Sequence, residues 1–302
     1  MIIDSHVHVE YKEDGTRHTP KEYLEAMDRT GIDVSVILGV DQADMGYKRQ
    51  WLASSNKKGE KASRHRQAEK EPIPNVINFE DEQVAKFCAA NKKRFVGIAS
   101  THPDRNRPDL KVKRALTDLG LRGLKLYPHS GFFPNDKRLD CVYETCIRYD
   151  APVFIHTGIK ALRPQFIKYN NPIYVDEVAT RFPDLKIVML HGGYPWVKEF
   201  LAVIHSNPNV WADLTFLDYI EKTFMEDGLS HDVIKRLHKL IGSERMMWGS
   251  EGPFMNLPLY GTHGPDFIKK SQDFLVNRFT FLDRKDKENI LGNTIANLLR
   301  IP

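Results

Sequence analysis

Residues 151–193 read APVFIHTGIKALRPQFIKYNNPIYVDEVATRFPDLKIVMLHGG. PVFIH (152–156) and KIVMLH (186–191) are short, β-branched apolar runs, and each ends in a histidine. Between them, VDEVATRF (175–182) carries helical periodicity and is stopped by Pro183. A strand, a helix and a second strand in this order form a crossover unit with parallel strands.

The same rhythm extends in both directions. Upstream lie MIID (1–4), IDVSVIL (32–38), RFVGIAS (94–100) and LRGLKLY (121–127), each read as a strand. Downstream lie NVWADLT (209–215) and RMMWGS (245–250). Helical stretches separate them. Thr19-Pro20-Lys21-Glu22 reads as a capping box for a helix that stops near Gly31. FEDEQVAKFCAAN (79–91) reads as a helix with Asn78 as its cap. DLKVKRALTDLG (109–120), RLDCVYETCIRYD (138–150), PWVKEFLAVIHS (195–206), HDVIKRLHKLIG (231–242) and NTIANLLR (293–300) complete the set. Eight strands alternating with helices over about 300 residues match a closed (β/α)8 barrel, an α/β TIM barrel formed as one domain over 1–302. An open doubly wound sheet is the competing fold, but the GxGxxG turn it favours after strand 1 is absent. One segment breaks the rhythm: 39–78, after strand 2, is a long insertion on the catalytic face. Its 48–70 stretch is rich in Lys and Arg. It reads either as a basic lid over an anionic substrate or as a solvated or subunit-contacting insertion.

Composition sets further bounds. With 44 Lys+Arg against 40 Asp+Glu, the net charge is +4 and does not point to nucleic acid as the main partner. The 41% hydrophobic and 28% charged residues describe a globular chain. No apolar run reaches the ~18 residues of a membrane helix, so no membrane partner is expected. MIIDSHVHVE carries no signal-peptide pattern, and the three cysteines, Cys88, Cys141 and Cys146, form no CxxC pair. Both observations lead us to expect a cytoplasmic protein.

The chemistry gathers at the C-terminal ends of the strands. Strand 1 ends in Asp4-Ser5-His6-Val7-His8, and alternate residues of a strand share a face. Strands 5, 6 and 8 end in His156-Thr157-Gly158, His191-Gly192-Gly193 and Trp248-Gly249-Ser250-Glu251. In a barrel these ends converge on one mouth, where three imidazoles and a carboxylate suit a borderline divalent metal with an open position. Lys125, on strand 4, reads as a group for a substrate carboxylate or oxyanion, or as a barrel lysine in an ion pair. Tyr127, His129 and Ser130 after strand 4, Lys160 and Arg163 after strand 5, and Phe254, Tyr260 and His263 after strand 8 are candidate substrate contacts. Aromatic and basic groups together suit a small, planar anionic organic substrate.

These motifs resemble the amidohydrolase superfamily, in the amidohydrolase 2 branch of metal-dependent TIM-barrel hydrolases. That branch includes aminocarboxymuconate-semialdehyde decarboxylase and related aromatic-acid decarboxylases and lactonases. The resemblance is carried by DSHVH (4–8), GLKLYP (123–128), APVFIHTG (151–158), FPDLKIVMLHGG (182–193), NVWADLT (209–215), WGSE (248–251) and ILGNTIANLL (290–299), in order along the chain. It implies one divalent metal, zinc or manganese, with His6, His8, His156 and Glu251 as ligands. It implies that His191 acts as an acid/base or completes the metal site, that Glu251 binds the metal or acts as a base, and that the chain forms a homodimer; Lys125, Tyr127, His129 and Arg163 stay as the substrate contacts read from their positions. Asp4 is expected as a first ligand or as a partner that orients one. Glu251 departs from the branch's usual Asp and reaches about 1.5 Å farther. The leading expectation is hydrolysis of a small carboxylate-bearing ester, lactone or amide. The alternatives are nonoxidative decarboxylation on the same site and a catalytically weakened barrel that binds a partner.

Overall fold

The structure is a computed structural model that describes residues 1–12, 15–42, 78–159, 165–217, 220–221, 229–254, 256–257, 261–262 and 265–302. Most of the 39–78 insertion, together with Lys160, Arg163, Tyr260 and His263, lies outside the described residues.

Eight strands follow one another in sequence order around one sheet: β1 (Ile3–Val7), β2 (Val34–Leu38), β3 (Phe95–Ser100), β4 (Leu124–Leu126), β5 (Val153–Ile155), β6 (Ile187–Met189), β7 (Val210–Asp213) and β8 (Met246–Met247). Each neighbouring pair is parallel. The ring closes through Ser5 N–H to Trp248 C=O, His8 N–H to Glu251 C=O, and a parallel bridge between Val7 and Glu251. Between the strands run α1 (Pro20–Thr30), α2 (Asp81–Ala89), α3 (Pro108–Thr117), α4 (Asp140–Arg148), α5 (Ile173–Arg181), α6 (Val197–Ser206) and α7 (Leu229–Ile241). Helices α8 (Pro265–Arg278), α9 (Arg284–Glu288) and α10 (Thr294–Leu299) close the chain, and a short antiparallel pair, Asn256–Leu257 with Gly261–Thr262, follows β8. No described helix is long and apolar enough to cross a membrane.

The local signals act as their chemistry requires. Thr19 caps α1: its Oγ accepts from Glu22 N–H, Glu22 Oε2 accepts from Thr19 N–H at 2.7 Å, and Gly31 ends the helix at φ 72°. The predicted cap at Asn78 is corrected. Phe79 pairs with Val40 in an antiparallel bridge, which keeps the chain extended, so α2 starts at Asp81 with Glu80 as its cap. The Asn78 side chain instead accepts from Gln42 N–H. Strand β8 is shorter than its apolar run; past Met247 its pairing with β1 continues only through the Trp248 carbonyl and the isolated Val7–Glu251 bridge.

The buried apolar residues fall into two clusters. One lies between strands and helices and includes Ala99, Leu124, Leu126, Ile155 and Met189. The other includes Val34, Val36, Leu38, Val96, Ile98, Phe154, Val188, Leu190 and Met247, and fills the barrel. Strand alternation therefore sends Ser100, Lys125, His156 and Asp213 inward, above that plug.

Close approach at the closing seam requires glycine. A Cβ at Gly249 would lie 2.5 Å from Thr215 Oγ1 and 2.6 Å from His6 Cβ. Gly249→Ala is expected to cost about 1–3 kcal/mol through overpacking, read as a lower urea midpoint at unchanged slope. An unshifted midpoint would mean that the β1–β8 seam has slack.

Candidate active site

Strand β1 presents Asp4, His6 and His8 to the mouth, and the turn after β8 brings Glu251 against them. His6 Nε2 lies 3.2 Å from His8 Nε2 and 3.3 Å from Glu251 Oε1. His8 Nε2 lies 3.7 Å from Glu251 Oε2. On the far side, His191 Nδ1 is also 3.3 Å from Glu251 Oε1. Ligand atoms about 2.1 Å from a tetrahedral ion stand about 3.4 Å apart. The donor set is therefore already spaced for a divalent metal. Among the described residues, two groups have the composition and geometry to hold one, His6–His8–Glu251 and His6–His191–Asp213, with ligand atoms all within 4.8 Å of one another.

His156 stands outside both groups. Its Nε2 is 2.7 Å from the Ile159 carbonyl, which can only accept, so Nε2 carries the proton. The neutral ring then offers a lone pair at Nδ1, 3.1 Å from His191 Nε2, which donates. That assigns the His191 lone pair to Nδ1, facing Glu251. Two acceptors meet there unless a proton or a cation lies between them. For His156 to join a metal through Nδ1 it must release His191, while its Nε2–H can stay on the Ile159 carbonyl.

Two buried carboxylates brace this arrangement. Asp4 accepts from Ser250 N–H at 2.8 Å and from the Ser250 hydroxyl, tying β1 to the β8 turn. Asp213 accepts from Thr215 Oγ1 at 2.8 Å, Ser5 Oγ at 3.1 Å and His191 N–H at 3.3 Å, and faces His6 Nδ1 at 3.8 Å. A carboxylate behind a metal-binding imidazole fixes its tautomer. Asp213 was not singled out in the sequence, although NVWADLT ends β7 with this acid in an inward position. His191 and Glu251 both adopt left-handed backbone conformations, φ 61° and φ 73°. Such conformations cost on the order of 1–3 kcal/mol in non-glycine residues and gather at functional sites.

Burial sets the charges. The imidazole of His8 is pushed down to about 3 by burial, with Lys125 adding repulsion. His6, His156 and His191 are lowered well below the usual histidine range, first by burial. All four rings are neutral near pH 7, as ligands must be. Burial raises Glu251 to about 8 and Asp4 to about 7. Lys125 is buried to 1% exposure, and burial lowers its amine to about 7. Its Nζ has no hydrogen-bond or ion-pair partner among the described residues and lies 4.9 Å from the Tyr127 ring centre. The reading of Lys125 as half of an ion pair is thus corrected: its nearest acids, Glu251 and Asp213, act on it only through space.

The substrate-facing candidates also converge. Tyr127 packs edge-on to His129 at 4.4 Å and to His8 at 6.2 Å, and lies 5.2 Å from His156. His129 Nδ1 accepts from Asn170, and Ser130 bonds back to the Tyr127 carbonyl. Phe254 stacks on His18 at 4.0 Å. His102 packs against Phe132. Arg163 lies outside the described residues.

The amidohydrolase family model, Amidohydro_2, matches residues 3–301. A 108-residue stretch, 35% of this chain, is 26% identical to Protein fluG of Emericella nidulans and spans 12% of that protein. Among solved structures, an uncharacterised TIM-barrel protein from Bordetella bronchiseptica is 21% identical with TM-score 0.71, covering 99% of this chain and 98% of its own. The 5-carboxyvanillate decarboxylase of Sphingomonas paucimobilis is 17% identical with TM-score 0.64, covering 100% and 99%. An amidohydrolase from Burkholderia multivorans, with bound zinc, is 15% identical with TM-score 0.65 and covers 100% of both chains. These structural likenesses establish the fold.

Metal uptake should report the charge state of the site. Below about pH 8 the Glu251 carboxyl holds a proton in the metal-free protein, so it must release it to coordinate. Zinc binding at pH 7 is expected to release on the order of one proton, falling as the pH rises past 8. Calorimetry in buffers of different ionisation enthalpy measures this. Glu251→Gln should abolish most of the release, and unchanged release would assign the proton elsewhere.

Proposed function

The chain belongs to the amidohydrolase family, a family of metal-dependent enzymes, and we propose that it is a hydrolase acting on a small carboxylate-bearing ester, lactone or amide. One observation carries the reading: His6, His8 and Glu251 offer ligand atoms at metal-shell spacing beside an unpartnered, buried lysine amine. His6, His8 and Glu251 would hold one divalent metal. His191 Nδ1 is on hand to complete the shell. His156 would join through Nδ1 on giving up its bond from His191, its Nε2–H staying on the Ile159 carbonyl. Zinc is favoured and manganese remains compatible, because imidazole and carboxylate donors suit both. A bound metal supplies Lewis-acid chemistry, polarising a substrate oxygen and acidifying water.

The chain's own groups do the rest. Lys125 Nζ attracts the substrate carboxylate and fixes its orientation. Tyr127 and His129 wall the cavity with aromatic rings and exclude water, and Arg163 is assigned to the same substrate. His191 is held in one tautomer by His156, with its Nδ1 lone pair directed into the site. It takes a proton from attacking water and returns it to the leaving oxygen or nitrogen. Asp4 and Asp213 keep the seam and the His6 ring in place.

The second reading is nonoxidative decarboxylation on the same site, the reaction in the name of the structurally similar 5-carboxyvanillate decarboxylase. The C–CO2 bond would break with its electron pair left on carbon, and a general acid would deliver the proton there. All three cysteines are free, which supports a cytoplasmic location.

Elemental analysis of protein purified without a nickel column or chelator tests the reading. About one equivalent of zinc or manganese is expected, with His6→Ala and Glu251→Ala losing most of it. Lys125→Met should keep the metal while raising KM for carboxylate-bearing lactones at least tenfold, the scale of a lost charged hydrogen bond. Failure to take up metal after reconstitution would overturn the proposal.

A further inference from the structure

Asn170 lies beside β5, buried to 1% exposure, at the end of a short 3-10 turn, Ile167–Asn170. Phe166, just before that turn, donates its N–H to the His129 carbonyl at 3.2 Å, and Tyr169 within it packs on Phe133 at 4.6 Å. The turn is therefore docked on the loop after β4. It holds the Asn170 side chain between that loop and the end of β5.

The amide can face only one way. Asn170 Nδ2 lies 3.0 Å from the Gly158 carbonyl, 3.1 Å from His129 Nδ1 and 3.4 Å from the Ile159 carbonyl. Carbonyl oxygens only accept, so the NH2 end must face them. Exchanging the two ends would set Oδ1 against two carbonyls. The NH2 end is kept here although Oδ1 is then buried without a partner among the described residues, which is costly. The consequence passes to three rings. His129 Nδ1 receives an N–H and so holds a lone pair, which puts the proton of that ring on Nε2. The Gly158 backbone clasps Asn170 at two points: its carbonyl accepts from the side chain, and its N–H donates to the Asn170 carbonyl at 3.0 Å. That clasp fixes the residue before Ile159, whose carbonyl holds the proton of His156 at Nε2. His156 Nδ1 in turn accepts from His191.

We propose that Asn170 is a positioning residue that sets the tautomers of His129 and His156 and, through His156, that of His191. Its effect is to sort the histidines of the mouth. His129, with its Nδ1 lone pair occupied and its proton on Nε2, is withheld from service as a base or a metal ligand, although its ring centre lies 4.3 Å from that of His156. His191 keeps the lone pair at Nδ1 that faces Glu251. The tautomers belong to the metal-free protein, and their use in turnover rests on the hydrolase reading above.

Long-range 1H–15N correlation spectra of metal-free, full-length protein with 15N-labelled histidine test this, because a protonated imidazole nitrogen and one with a lone pair resonate far apart. Loss of signals in His129→Gln and His156→Gln assigns the two rings. At pH 7 each should carry one proton, on Nε2. Asn170→Asp removes the N–H donors and sets a carboxylate beside Nδ1, so His129 should gain a proton there. Asn170→Leu removes both polar ends, so both rings should show mixed tautomers. A role in packing alone would lower the unfolding midpoint and leave the wild-type tautomers in place. Wild-type His129 protonated on Nδ1, or folded variants that keep the wild-type tautomers, would overturn the inference. If the variants do not fold, the wild-type spectrum still decides. Zinc content of the same preparations after reconstitution separates the two ideas. Zinc uptake with His129 protonated on Nδ1 defeats only this inference, whereas the expected tautomers without zinc uptake defeat only the hydrolase reading.

Discussion

The Asp4–Ser250 link is the constraint on which the site depends. A barrel of parallel strands must close its last strand on its first, and here β8 is only two residues long. Closure therefore falls to a few contacts past the ladder: the bond from His8 N–H to the Glu251 carbonyl, and both Asp4 oxygens on Ser250. Gly249 permits the close approach, since any side chain there would strike His6 and Thr215. The result is that the carboxylate of one chain end is set against two imidazoles of the other, 245 residues apart in sequence but 3.3 Å apart in space.

Burial is what makes this cluster chemically useful. Four imidazoles in water would be partly charged near pH 6.5 and would repel one another. Sealed in the mouth they stay neutral, so their lone pairs are available. The same desolvation leaves Glu251 and Lys125 titrating near neutrality rather than at their ordinary values. The left-handed backbone at His191 and Glu251 is held by their bonds to Asp213 and His8. The strain is thus supported by the same contacts that orient the side chains.

Much of the site was legible from position alone. His6, His8, His156, His191, Lys125 and Glu251 each follow or end an apolar run, and strand polarity carries all such ends to one mouth. Tyr127 and His129 were found in the same way. Asp213 ends a strand too, but acids at strand ends are common enough to pass as turn residues. The error at Asn78 has a similar source. Capping chemistry is local, but the bridge from Val40 to Phe79 that keeps residue 79 extended is not.

The sequence by itself determined the alternation of strand and helix, the parallel barrel it entails, and the convergence of histidines on one face. Those follow from period, polarity and short connections, which are properties of neighbouring residues. Only the tertiary structure decided how the side chains use that convergence. Whether Lys125 is paired and which nitrogen of His156 carries the proton depend on side-chain rotations about single bonds. Contacts from other strands select among those rotations. The energies that separate them are one or two hydrogen bonds each, and the partners are brought together only when the barrel closes.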